Sequence, residues 1–92
     1  EVGRERVTGV ESMVIPPLAE IKRLNEALAN VMCHCEVLGI GMNGRRITPE
    51  AAEQERARRV AEFQLPVCDV YRDGPDALAE AVIAYYESGR WR

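Results

Sequence analysis

Val37-Leu38-Gly39-Ile40-Gly41-Met42 is a short apolar run with no alternation between polar and apolar positions, and Asn43-Gly44 ends it. A strand buried on both faces has this pattern, and such strands belong to parallel sheets. Leu65-Pro66-Val67-Cys68-Asp69-Val70-Tyr71 is a second run of the same kind. Between them, Thr48-Pro49-Glu50 marks a helix start, with a hydroxyl to cap, a proline in the first turn and an acid at the positive end of the dipole. That helix is expected to run to about Phe63, packing through Ala52, Ala57, Val60, Ala61 and Phe63. Two parallel strands joined through a helix form a right-handed βαβ unit, so the class is α/β.

Outward from this unit, Pro16-Pro17 stops any preceding element and opens another helix. Leu18, Ile21, Leu24, Leu28 and Val31 recur every three or four residues and make one apolar stripe. Residues 1–15 read as an ordered loop or a short extended piece. Beyond the second strand, Arg72-Asp73-Gly74-Pro75-Asp76 is a turn that doubles as a helix start. Leu78, Val82 and Tyr85 or Tyr86 give a third stripe, stopped by Gly89. The expected order is helix, strand, helix, strand, helix. Two parallel strands make a narrow sheet whose outer edges want neighbours. The chain therefore either oligomerises through those edges or is cut from a larger sheet, and the second reading is preferred. It also opens on Glu1 with no initiator Met, the mark of a piece of something longer.

The 92 residues allow one small domain, and an apolar fraction of 47% argues against general disorder. Twelve basic against 15 acidic side chains leave a net charge of −3, which gives no reason to expect a nucleic acid or an anionic membrane as partner. No apolar run approaches the roughly 20 residues that cross a bilayer, and no signal peptide is visible. Three cysteines, an odd number, speak for a reducing, cytoplasmic compartment over a disulfide framework.

Ligands of open α/β sheets bind beyond the carboxyl ends of the strands. Asn43, Gly44, Arg45 and Arg46 follow the first strand, and Arg72, Asp73 and Gly74 follow the second, so both loops lie at one end of the sheet. The Asn43 amide can donate and accept, which suits the edge of a base or an amide-bearing ligand. Gly44 allows close backbone approach or a positive φ. Arg45, Arg46 and Arg72 could pair with a phosphate or carboxylate. The same residues also read as turn chemistry with a solvated arginine rim.

Gly39 and Gly41 lie within the strand, not in a strand–helix loop, so close backbone packing explains them better than a dinucleotide fingerprint. No G-x-x-x-x-G-K-[ST] occurs in the chain. Cys33-His34-Cys35 fits tetrahedral zinc badly, because three nearly adjacent ligands lack the usual spacing; no metal is expected. Arg56, Arg58 and Arg59 with Glu53, Glu55 and Glu62 read as a mixed-charge, solvated helix face. Tyr71, Tyr85, Tyr86 and Trp91 read as core or helix-end packing, with an interface as the alternative.

Gly3-Arg4, Ile15-Pro16-Pro17-Leu18, Val37 to Asn43, Thr48-Pro49-Glu50-Ala51-Ala52 and Leu65 to Gly74 stand in an order that resembles the C-terminal end of the D-glutamate N-acetyltransferase-like (DgcN) family. The resemblance covers nearly the whole chain and rests on the ordered set, each motif being loose alone. It implies that residues 1–92 are a C-terminal fragment of a P-loop NTPase-like α/β domain. The phosphate-cradling loop and a Rossmann-like N-terminal domain would then lie upstream. In related P-loop folds, an Asn directly after a late strand contacts the nucleotide base, and Asn43 matches that position. Arg72, Asp73 and Gly74 match the family's loop after the final strand. Met42-Asn43-Gly44 departs from the Leu-Asn-Thr of many relatives, which puts any contact made by that Thr hydroxyl in doubt.

The function expected from this resemblance is completion of an ATP or acetyl-CoA site in an enzyme acylating the amino group of D-glutamate or a related amino acid. Asn43 would read the adenine, with Arg45 and Arg72 as anion contacts. The partners would be the rest of its own chain and a small amino-acid substrate, with homo-oligomerisation open. The rival readings are a nucleotide- or partner-binding module without acyl transfer, and a standalone domain that oligomerises.

Overall fold

Residues 1–15, expected as an ordered loop or a short extended piece, contain a β-hairpin over 6–14 in the computed structural model, which describes residues 1–92. Strand β1 (Arg6–Val7) pairs antiparallel with β2 (Val10–Val14). Gly9 turns the chain at a φ of +86°, a conformation open to glycine because it has no Cβ. The register shifts between Arg6 and Val7, and all five residues of β2 are exposed. A ribbon with neither regular pairing nor a buried face leaves no alternation in the sequence to read.

The remaining elements are α1 (Leu18–Ala29), β3 (Ile40–Met42), α2 (Pro49–Phe63), β4 (Val67–Asp69) and α3 (Asp76–Ser88). The class is α/β, opened by a hairpin that the expected element order lacked. The chain divides into two compact units, Arg4–Val37 and Glu1–Gly3 with Leu38–Arg92.

In the first unit, α1 ends before Val31, with Asn30 as its C-cap, whose side-chain amide donates to the Glu26 carbonyl at 2.7 Å. Lys22–Glu26 and Arg23–Glu20 pairs line its polar side. The predicted stripe is only partly covered: Leu18 and Ile21 are half-buried, whereas Leu24, Leu28 and Val31 are exposed.

In the second unit, β3 and β4 pair in parallel, with Ile40 opposite Val67, Gly41 opposite Cys68 and Met42 opposite Asp69. Both strands are shorter than the apolar runs that announced them. Pro66 has no N–H for the ladder but accepts from Ile40 N at 2.9 Å. All three residues of β4 are buried, as expected for a two-sided strand, but Gly41 of β3 is exposed. A Cβ on Gly39 would come within 2.6 Å of the Leu78 side chain and 3.1 Å of the Pro66 carbonyl. A methyl at 39 would therefore make the Leu78 side chain turn aside and the Pro66 carbonyl give by a few tenths of an ångström.

Thr48 caps α2 by accepting from Ala51 N at 3.1 Å, with Pro49 in the first turn, as the sequence predicts. The packing side differs: Ala52 is buried and Val60 and Phe63 half-buried, while Ala57 and Ala61 are exposed. The charged face pairs internally through Arg56–Glu53, Arg58–Glu55, Arg59–Glu55 and Arg59–Glu62. Glu55, Arg56 and Arg59 are half-buried, so that face is less solvated than expected. On α3 the covered positions are Leu78, Ala81 and Tyr85, and Val82 and Tyr86 are exposed. Gly89 ends α3 at a φ of +73°, and Trp91 stacks on Tyr86 with centroids 5.6 Å apart. The core is Met42, Ala52 and Val67, with Val2, Ile40, Ile47 and Val60 packed against it. No helix is long and apolar enough to cross a membrane.

Candidate functional site

Parallel pairing brings the β3 and β4 carboxyl ends side by side, and the loops after them are joined by one arginine. Arg72 Nη1 donates to the Gly44 carbonyl at 2.8 Å, and Nη2 donates to the Ile47 carbonyl at 2.5 Å. Nη1 also lies 3.3 Å from Asp69 Oδ2. Asp69 is the buried charge of this structure, at 2% exposure. Its Oδ1 accepts from Gly44 N at 3.3 Å and Tyr71 N at 3.1 Å, while its backbone carbonyl accepts from Arg72 N and Asp73 N. A buried carboxylate is tolerated when paired and hydrogen-bonded, and both conditions hold here.

Gly44 sits inside this knot. A Cβ there would meet Asp69 Oδ2 at 2.4 Å, Arg72 Nη1 at 2.9 Å and the Ala52 side chain at 3.2 Å. Of the two roles open to it, Gly44 takes close approach; its φ is not positive. A threonine at this position would collide with Asp69 unless the loop moved.

Asn43 is half-buried at the β3 carboxyl end. Its backbone carbonyl accepts from Val2 N at 3.0 Å, and its Oδ1 accepts from Arg45 N at 3.1 Å, a side-chain turn that sets the amide's orientation. The Nδ2 donor has no protein partner. Arg45 and Arg46 both pair with the Glu1 carboxylate; the Arg46 contact is 3.0 Å. Asp73 contributes negative charge near Arg56, whose pKa is raised chiefly by its hydrogen bond to Glu53. Gly74 holds a φ of +78° with open space around it, so its backbone angle, not crowding, calls for glycine.

Asn43, Gly44 and Arg72 therefore form one cluster, with Arg45 beside it and Asp73 and Gly74 completing the second loop. Asp69 was not among the residues expected there. Its signal was an acid inside an apolar run with an arginine three positions on, since a charge in a buried strand requires a partner. Glu1 had no local signal at all.

Cys33, His34 and Cys35 lie in the other unit. All three cysteines of the chain are free thiols, and no group of three or more His, Cys, Asp or Glu side chains is placed to hold a metal ion.

A family model described as a domain of unknown function, the DUF1611_C P-loop domain, matches residues 1–79. No curated protein and no solved structure matches the chain.

Proposed function

The chain belongs to the DUF1611_C P-loop domain family, and from that premise we propose that its Asn43 loop completes the base-binding side of an adenine-nucleotide or acetyl-CoA site. The observation that carries this reading is the Asn43 amide, held by its own oxygen with its Nδ2 donor unpartnered at the strand's carboxyl end. An adenine edge presents ring-nitrogen acceptors to such a donor.

The residues fit the base better than they fit its phosphates. The Arg72 guanidinium is bound to two carbonyls and Asp69, so it serves as the brace of the loop. Arg45 and Arg46 hold the Glu1 carboxylate, and an incoming phosphate or carboxylate would reach them by displacing it. The chain has no phosphate-cradling loop of Walker type, so that contact falls to sequence outside residues 1–92. The finer reading is acyl transfer from acetyl-CoA to the amino group of D-glutamate or a related amino acid. It rests on the motif order resembling the DgcN family.

Asn43→Asp keeps an acceptor for Arg45 N while removing the donor, and because it also adds a negative charge, the uncharged Asn43→Ala is read beside it. Both Asn43→Asp and Asn43→Ala should weaken ATP or acetyl-CoA binding by about tenfold in calorimetry, the worth of one hydrogen bond of about 1.4 kcal/mol. Unchanged affinity in both variants removes the proposed role.

A further inference from the structure

The loop after α1 carries two thiols that the nucleotide reading does not use. Cys33 Sγ and Cys35 Sγ stand 3.7 Å apart. Both residues are tied to the last turn of α1, which limits the ways the thiols can separate. Cys33 N donates to the Ala29 carbonyl at 3.4 Å. Asn30 grips Cys35 at both backbone groups, accepting from its N–H at 3.1 Å and donating to its carbonyl at 3.0 Å. Cys35 Sγ lies 3.9 Å from the same Ala29 carbonyl.

We propose that Cys33 and Cys35 form a reversible dithiol–disulfide pair that is oxidised by low-molecular-weight disulfides. A disulfide bond is about 2.05 Å long, so the sulfurs need to close by roughly 1.7 Å, within reach of side-chain rotation and a small loop adjustment. Exposure sets the order of events: Cys33 is exposed, Cys35 is half-buried. The hydrogen bond to Cys33, with burial second, pushes the Cys35 thiol up.

The Cys33 thiolate attacks one sulfur of the external disulfide. The old S–S bond breaks, one thiolate leaves and is protonated by solvent, and Cys33 is held as a mixed disulfide. Cys35 then loses its proton to solvent and attacks Cys33 Sγ, expelling the second thiolate. The protein gives up two electrons and two protons, and the external disulfide becomes two thiols. A ring closed across one intervening residue is short and exposed, which makes the bond labile and its formation reversible.

The test equilibrates the full chain in glutathione buffers of graded oxidised-to-reduced ratio, followed by acid quench, alkylation and mass spectrometry of the peptides. The expected result is loss of two hydrogens from the Cys33–Cys35 peptide, reversed by excess reduced glutathione. Cys68, buried in β4, should stay a free thiol after the same treatment and serves as the internal control. Cys35→Ser and Cys33→Ser should each stop at a stable glutathione adduct on the remaining thiol of the pair, with no loss of two hydrogens from the peptide. Both thiols remaining alkylatable at every ratio, or a disulfide between two chains in place of the Cys33–Cys35 bond, would overturn the proposal. None of these outcomes depends on nucleotide binding.

Discussion

Arg72→Ala would remove the brace that joins the two loops. It deletes the bonds to the Gly44 and Ile47 carbonyls and leaves Asp69, at 2% exposure, without its cationic partner. Breaking a buried ion pair from one side costs about 3–5 kcal/mol. Two features lower that figure here: Asp69 keeps the Gly44 and Tyr71 N–H groups, and the Arg72 side chain is 25% exposed, so water can reach part of the vacated space. The expected loss is about 2–3 kcal/mol. For a chain of this size that is a fall in Tm of roughly 10–20 °C. Urea unfolding followed by far-UV circular dichroism measures it. Arg45→Ala is the matched control, removing the same charge from a pair in which Arg45 is half exposed, and should cost about 1 kcal/mol or less. Asp69→Asn combined with Arg72→Ala should show a coupling of at least about 1 kcal/mol. If Arg72→Ala costs no more than Arg45→Ala, the brace is not what holds these loops.

Gly39→Ala should destabilise by about 1–3 kcal/mol, since the new methyl meets the Pro66 carbonyl and Leu78, while Gly41→Ala, with contacts no closer than 3.4 Å, should stay within about 0.5 kcal/mol. The same urea titration compares them, and equal costs would contradict the packing argument. In the helices, Arg23 holds the Glu20 carboxyl below its ordinary value, Lys22 does so for Glu26 and Arg56 for Glu53. For Glu55, burial raises the pKa, but Arg59 and Arg58 together outweigh it. Folded values below unfolded ones mean a contribution that is present above the ordinary carboxylate pKa and lost as pH falls through the lower folded values. Helix signal should therefore persist down to about pH 4 and then decline, more weakly dependent on pH at high salt. A decline complete above about pH 5 would rule out these pairs as its cause.

The Asn43–Gly44 loop shows how far reading along the chain reaches. That the two loops share one end of the sheet follows from two apolar runs flanking one helix, because parallel strands must point the same way. That Gly44 is required for close approach, and not for a positive φ, follows only from Asp69 and Arg72, which are 25 and 28 residues away. The helix faces divide similarly. Periodicity found all three helices, yet Ala57, Ala61 and Val82 are exposed where Ala52 and Ala81 are covered. Alanine and valine recur on more than one side of α2 and α3, so the pattern alone does not select the face that meets the sheet.

By itself the sequence determined what is settled within a few residues: the Thr48 cap and Pro49 start of α2, the Gly89 stop of α3, the two apolar strands and hence the α/β class. These depend on local hydrogen bonds, fixed dihedral angles and the polarity of short windows, all readable in order. Only the tertiary structure decided that Glu1 meets Arg45 and Arg46, that Arg72 binds the Gly44 and Ile47 carbonyls across the two loops, and that Asp69 is buried. Such contacts exist once strand pairing has set residues far apart in the chain within hydrogen-bond reach, and no window along the sequence contains both partners.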